Sequence, residues 1–405
     1  MPAPSALHRL SPVALCAGAL YCFPAVAAST ASTDGVQLLA GIGWAHDDNL
    51  LRQADGVAAF GNGRSDSYRT FEAGVVLDQH ISRQRIAATA KVSKTAFDRF
   101  RQLDYTGRNL QATWFWEIGE RFDGHLGGLY LQTLAPYTDF NSDQRNLRQQ
   151  RRQEADAGWL LHPSWKLRAG AVRDKASYDL TVQRFNNRTE TAFETELLYQ
   201  PRGGSTLGLV ARRIKGSYPF RRPSITTGLL DDFTQDELKL RVHWLVTGST
   251  IVQGLAGYVR RAQPSYGAGA TSGVNGRVDV VFTPRGPVSY QAGVWRDFAP
   301  IESPFISYTL NQGASLGVNW VASARVTIEA SALYERRASA GRGDFTGANA
   351  LRDALRSASV RAVWQVRPKV KVVATCMHQA RSAAAGLGTG KFDANVVEFS
   401  ANVLF

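Results

Sequence analysis

Cysteine is scarce: the 405-residue chain has only 3, alongside 2 methionines. Cys16 and Cys22 fall in an N-terminal apolar stretch, which leaves Cys376 alone after it. Neither an intrachain disulfide nor a cysteine-based metal site can form there. No run of about 18 apolar residues occurs after that stretch, which excludes a transmembrane helix. The histidines His46, His80, His125, His162, His243 and His378 are scattered, with no two at metal-ligand spacing. GxSxG, Walker and HExxH patterns are missing as well. The nearest acidic pairs, Asp47-Asp48 and Asp231-Asp232, read more simply as loop solvation or a cation site than as catalytic carboxylates. Neither an enzyme nor a cofactor is expected. Helical periodicity is almost missing; the one short loop helix predicted lies over 348–356 (ANALRDALR).

What is present begins with an export signal. His8 and Arg9 precede an apolar run from Val13 to Phe23, followed by Ala25-Val26-Ala27-Ala28. That is a basic region, an apolar core and a small-residue cleavage site. Cleavage is expected after Ala27 or Ala28, giving a signal peptide over 1–28 and a single domain over 29–405. The run is too short to cross a bilayer as a helix, and neither cysteine in it sits as a lipid-anchor signal requires.

The end of the chain is the most explicit segment. Val397, Phe399, Ala401 and Val403 alternate with Glu398, Ser400 and Asn402 and finish on Phe405. This is a period-2 strand with one apolar and one polar face. A strand in that position must pair or leave an open edge. In outer-membrane barrels it closes the ring, and a terminal phenylalanine such as Phe405 resembles their assembly signal.

Read for alternation and turn residues, the rest divides into about eighteen strands. They span 36–47, 67–78, 85–98, 106–118, 122–134, 149–161, 165–178, 188–199, 205–216, 233–246, 250–261, 274–283, 288–298, 306–321, 325–337, 356–366, 370–381 and 393–405. Each has about the length a tilted membrane strand needs. Short turns such as His162-Pro163-Ser164 and Arg367-Pro368-Lys369 alternate with long polar connections such as 48–66, 135–148, 217–232 and 338–355. Together these predict an all-β fold: a transmembrane antiparallel barrel of about 18 strands in a Gram-negative outer membrane. Its short turns would face the periplasm and its long loops the exterior.

Alternation also assigns the faces. Leu110, Ala112, Trp114 and Trp116, or Leu238, Leu240, Val242 and Trp244, would meet lipid. The interleaved polar positions would line the lumen: Gln111, Thr113, Glu117, Arg168, Glu194, Glu196, Glu237, Lys239, Arg241, Arg325, Thr327, Glu329, Ser357, Ser359, Arg361 and Glu398. Trp44, Trp114, Trp116, Trp159, Trp165, Trp244, Trp320 and Trp364 lie near strand ends, as aromatic girdles at the two membrane interfaces would require. The net charge of +13 comes largely from arginines in or near loops: Arg145, Arg148, Arg151, Arg152, Arg212, Arg213, Arg221, Arg222, Arg260, Arg261, Arg336 and Arg337. Such groups either pair with lipopolysaccharide phosphates or draw an anionic polymer into the pore. Nucleic acid is not an expected partner.

Three stretches go beyond a general barrel pattern. They are DDNLLR at 47–52; ISRQR at 81–85 leading to DRFRQLDYTGRNLQA at 98–112 and Trp114-Phe115-Trp116; and 145–170 (RNLRQQRRQEADAGWLLHPSWKLRAG). Over 40–175 the chain resembles the EpsL-type outer-membrane proteins of exopolysaccharide biosynthesis, found with exosortase and PEP-CTERM systems. The resemblance implies a channel that exports a newly made extracellular polysaccharide. It implies no catalytic residue. The expected partners are outer-membrane lipid and lipopolysaccharide, the polysaccharide chain as cargo, and the barrel assembly machinery. Coupling to the inner membrane would need a separate periplasmic or inner-membrane export complex. The alternatives are a general or substrate-specific porin for small solutes, and a plugged structural or adhesive barrel.

Overall fold

The backbone of a membrane strand has no water to bond to, so each strand must find a neighbour on both sides. The computed structural model describes residues 35–405 except 62, 222–230, 264–269, 301–302, 304–305, 342–350 and 383–389. The signal-peptide segment 1–28 therefore lies outside the described residues. Eighteen strands run β1 Gly35–Asp47, β2 Asp66–Ile81, β3 Gln84–Phe97, β4 Tyr105–Ile118, β5 Phe122–Leu134, β6 Leu147–His162, β7 Trp165–Tyr178, β8 Arg188–Tyr199 and β9 Thr206–Ser217. They continue as β10 Phe233–Thr247, β11 Thr250–Ala262, β12 Ala270–Phe282, β13 Val288–Ala299, β14 Ile306–Ser323, β15 Val326–Gly341, β16 Arg352–Arg367, β17 Val370–Ser382 and β18 Phe392–Leu404. Each pairs antiparallel with the next, and β18 pairs with β1 from Leu39↔Leu404 to Asp47↔Val396. The ring is closed and has no free edge. Past the end of β18, the Phe405 N–H donates to the Leu38 carbonyl at 2.9 Å, carrying the seam to the last residue.

Several sequence expectations need correction. Residues 352–356 of the predicted helix are the first residues of β16, paired with β15 and β17; 348–350 lie outside the described residues. The ring's demand for a partnered strand overrides the local helical pattern of Leu351, Leu355 and Ala354. Short and long connections alternate, but the turn at 200–205 is as long as the loop at 300–305. Two short 3-10 turns, Arg101–Leu103 and Thr181–Asn186, lie in loops. Among the described residues no helix is long and apolar enough to cross a membrane.

The outer face is apolar and exposed, with Leu38, Ile42, Phe71, Leu110, Phe193, Leu240, Leu316 and Val360 among its large side chains. Of the lipid-facing tryptophans, Trp114, Trp116, Trp159, Trp165, Trp244, Trp320 and Trp364 stand toward the short-turn end and Trp44 toward the long-loop end; Trp295, in the long-loop half of β13, faces inward, where its Nε1 donates to Glu335 at 3.0 Å. The girdle of tryptophans is thus at one interface, not two. Outward basic residues show the opposite bias and lie in the long-loop halves of their strands. Placing an arginine on the lipid face costs about 2–4 kcal/mol at the midplane and about 0–1 near the interface, so this is where it is tolerated. The closed ring and the apolar belt define an outer-membrane β-barrel.

If the terminal aromatic is what the assembly machinery reads, deleting Phe405 should cut the amount of protein in outer-membrane fractions. Heat-modifiable migration of the remainder should show that the ring still closes.

Candidate functional site

Register fixes which side chains share the inner face. Gln111, Thr113 and Glu117 stand on it from β4, Arg168 from β7, Glu194 and Glu196 from β8. So do Glu237, Lys239 and Arg241 from β10, Thr327 and Glu329 from β15, Ser357, Ser359 and Arg361 from β16, and Glu398 from β18. Arg325 does not. It sits exposed in the two-residue turn before β15, where its N–H donates to Ser323 Oγ at 3.2 Å and its carbonyl accepts from the Gln365 N–H at 2.7 Å.

The inner charges brace one another. Glu194 pairs with Arg212 and, at 2.8 Å, with Arg241, which also reaches Glu196 at 2.8 Å. Glu237 pairs with Lys239 at 3.1 Å and with Arg212 at 3.4 Å. Arg168 meets Asp156 at 2.9 Å and Arg361 meets Glu329 at 3.3 Å. Ser331 and Ser359 share a hydrogen bond of 2.8 Å between β15 and β16. Gln111, Thr113, Thr327 and Glu398 belong to none of these pairs. Glu398 instead lines a cavity of about 150 Å³ with Tyr68, Thr70, Glu72, Ser400 and Asn402.

The loops after β1, β3 and β5 fold inward. Leu50, Leu51, Phe100, Leu103 and Tyr137 bury together against Phe97, Tyr68 and Tyr105, which stand on the inner face of the wall. The DDNLLR stretch accounts for much of this. Asp47 accepts from the Asn49 N–H at 2.9 Å and holds Arg52 at 2.7 Å, while Asp48 accepts from both the N–H and side-chain amide of Asn395 at 2.7 Å. Leu50 and Leu51 supply the apolar cluster, and Arg52 Nε donates to Gln379 of β17 at 3.0 Å. The motif locks the β18–β1 seam and seeds the inner cluster. Asp231 is equally committed, buried against Arg221 at 2.8 Å, and Asp232 accepts from the Tyr218 N–H. Neither acidic pair has the freedom of a catalytic dyad. Among the described residues, no group of three or more potential metal ligands comes together.

The loop joining β5 to β6 goes furthest. Its Asn141 amide donates to the carbonyls of Leu51 at 3.2 Å and Arg52 at 2.9 Å. Asp139 reaches across to Arg337 of β15 at 3.1 Å and Arg381 of β17 at 3.3 Å. Asp353 of β16 bridges the same two arginines at 2.5 and 2.6 Å, and the Thr138 carbonyl accepts from Arg381. All four charged side chains are at most 9% exposed. Two positive and two negative charges thus meet where this loop, a strap, reaches the wall at β15, β16 and β17. Sequence reading named Arg337 only as a loop-proximal charge and passed over Asp139, Asp353 and Arg381. The parity of the Arg336-Arg337 doublet carried a signal for Arg337, whereas Asp139 carried none, its partner lying 198 residues away.

No protein-family model matches the sequence, and no curated protein matches it either. Among solved structures, OccK9 (OpdG) of Pseudomonas aeruginosa superposes with a TM-score of 0.50 at 14% identity, covering 92% of this chain and 98% of that one. OccK2 (OpdF) of the same species gives 0.48 at 13% identity over 92% and 98%, and a BenF-like porin from Pseudomonas fluorescens Pf-5 gives 0.48 at 10% over 92% and 99%. At such identities the likeness speaks to the fold alone, a closed barrel of the porin type. The resemblance to EpsL-type proteins finds no support in these comparisons.

Cutting one end of a buried ion pair leaves the other uncompensated, a loss of up to about 3–5 kcal/mol. Asp139→Ala should therefore release the strap while Asp353 still holds Arg337 and Arg381 in the wall. Single-channel conductance in planar bilayers should rise, with heat-modifiability unchanged.

Proposed function

We propose that the barrel is a channel for small polar solutes, narrowed by the 135–146 strap. One observation carries this reading: Asp139 ties that strap to Arg337 and Arg381 on strands far round the ring from β5 and β6. A barrel of this strand number would otherwise keep a wide aqueous bore. A polymer in transit needs an unobstructed path along its whole length, whereas a small solute needs only the gap beside the strap. Hydroxyls, amides and paired charges on the wall suit weak, serial contacts from which a solute can leave. Polysaccharide export, implied by the sequence resemblance, would require the strap to withdraw, and the buried four-charge cluster opposes that. No part of this reading asks for bond-making chemistry.

Reconstituted protein should show stepwise conductance and admit mono- and disaccharides or small organic acids in liposome swelling, while excluding a long polysaccharide. Passage of the polymer through the unaltered protein would overturn the reading in favour of export. Lack of conductance in both the unaltered protein and Asp139→Ala would make it a plugged, structural barrel.

A further inference from the structure

The arginine doublets provide a second site, on the other side of the wall. In Arg151-Arg152, Arg212-Arg213, Arg260-Arg261 and Arg336-Arg337, strand alternation sends one side chain inward and its neighbour outward. The inward members are held by the wall: Arg152 by Glu154 and Asp174, Arg212 by Glu194 and Glu237, Arg337 by Asp353 and Asp139, and Arg261 by Gln235 and the rings of Phe233 and Tyr308. The outward ones differ. Arg213 has Asp236 at 2.6 Å, whereas Arg151 lies against the Tyr130 ring and Arg336 against that of Tyr334.

Around Arg151 the arrangement is costly by itself. Arg151 and Lys175 stand directly opposite in the β6–β7 register, both exposed, and Arg151 lies over the Tyr130 ring at 5.5 Å. Like charges directly opposite across a strand pair repel. Around Tyr334 the pattern repeats: Arg356 is its register partner, its guanidinium 5.7 Å from the ring, and Arg336 Nε donates to the Tyr334 hydroxyl at 2.7 Å. Among the described residues, no carboxylate lies within ion-pair distance of these four cations. Both clusters sit on the lipid-facing side, in the long-loop half, where the apolar belt gives way to headgroups.

We infer that these two clusters bind the phosphate groups of the phosphorylated glycolipid of the outer leaflet, lipopolysaccharide. The phosphates neutralise the repelling cations, and each tyrosine sits at the depth where an aromatic ring and its hydroxyl span the interface. The assignment needs the barrel's orientation in the membrane and does not depend on what passes through the lumen.

The test uses the full-length barrel extracted from outer membranes, with bound lipopolysaccharide counted by native mass spectrometry and lipid phosphate assay. Replacing the four cations (R151Q, K175Q, R336Q, R356Q) should weaken retention by at least about tenfold, since each basic group near an anionic surface contributes on the order of a tenfold factor or somewhat less. Heat-modifiable migration checks that the variant folds. A second arm uses only the unaltered protein and compares lipid A with lipid A stripped of its phosphates. Preference for the phosphorylated form supports the assignment even if the variant does not assemble. Equal retention by a folded variant, equal binding of the dephosphorylated lipid, or equal binding of phosphatidylglycerol would each overturn it.

Discussion

Everything in this molecule follows from one constraint: inside a bilayer the backbone has no water to bond to. A sheet with an open edge would leave a row of N–H and C=O groups unsatisfied in hydrocarbon, so the sheet must close. Closure here depends on β18 meeting β1, and the chain invests heavily at that seam. Asp48 clamps Asn395, Asn49 donates to the Asp393 carbonyl, and Phe405 bonds to Leu38. Once the ring is closed, every residue of every strand has one of two fates, because the side-chain period is 2.

That binary choice explains how so basic a chain can sit in a membrane. A strand arginine goes either to the lumen, where carboxylates meet Arg152, Arg212 and Arg337, or to the outer face in the long-loop half, as Arg151, Arg213 and Arg336 do. The doublets do both with adjacent residues, which makes the charge of the wall and the charge of the collar inseparable in sequence. Lumen carboxylates are correspondingly placed beside inward cations, as in the Glu194, Arg212, Glu237 and Lys239 run across β8, β9 and β10. The strong positive balance therefore resides mainly outside the bore. A net charge read from composition says little about what passes through.

Strands and faces were legible in the sequence because lipid and lumen are so different that period-2 alternation is written into each segment. Leu238, Leu240 and Trp244 against Glu237, Lys239 and Arg241 is the plainest case. Boundaries were less legible, since loop-side strand ends lie beyond the apolar belt and carry no alternating signal; β15 and β16 extend past the spans read for them, and Arg325 falls in a turn. The DDNLLR stretch drew attention for its resemblance to a family, but its residues are spent on turning the chain at the seam and packing the inner cluster. What no pattern could reveal is the strap. Asp139 is an ordinary loop aspartate until the fold brings Arg337 and Arg381 to it.

The strap also shows why a wide barrel is not the same as a wide channel. Eighteen strands set a circumference, and side chains from the wall alone cannot fill it. Narrowing requires a loop to leave its favourable place in water and enter the bore. Two interactions offset that cost here. The apolar cluster of Leu51, Phe100, Leu103 and Tyr137 makes the inward position the one that removes hydrophobic surface from water. Burial of the Tyr137 phenol raises its pKa, so it stays neutral within that cluster. The Asp139 cluster then fixes where the loop ends, because its carboxylate meets the buried guanidiniums of Arg337 and Arg381 beside that of Asp353. Apolar burial brings the loop in, and charge gives it an address on the far wall. In the channel proposed above, the bore beside the strap is set by tertiary pairing more than by strand number.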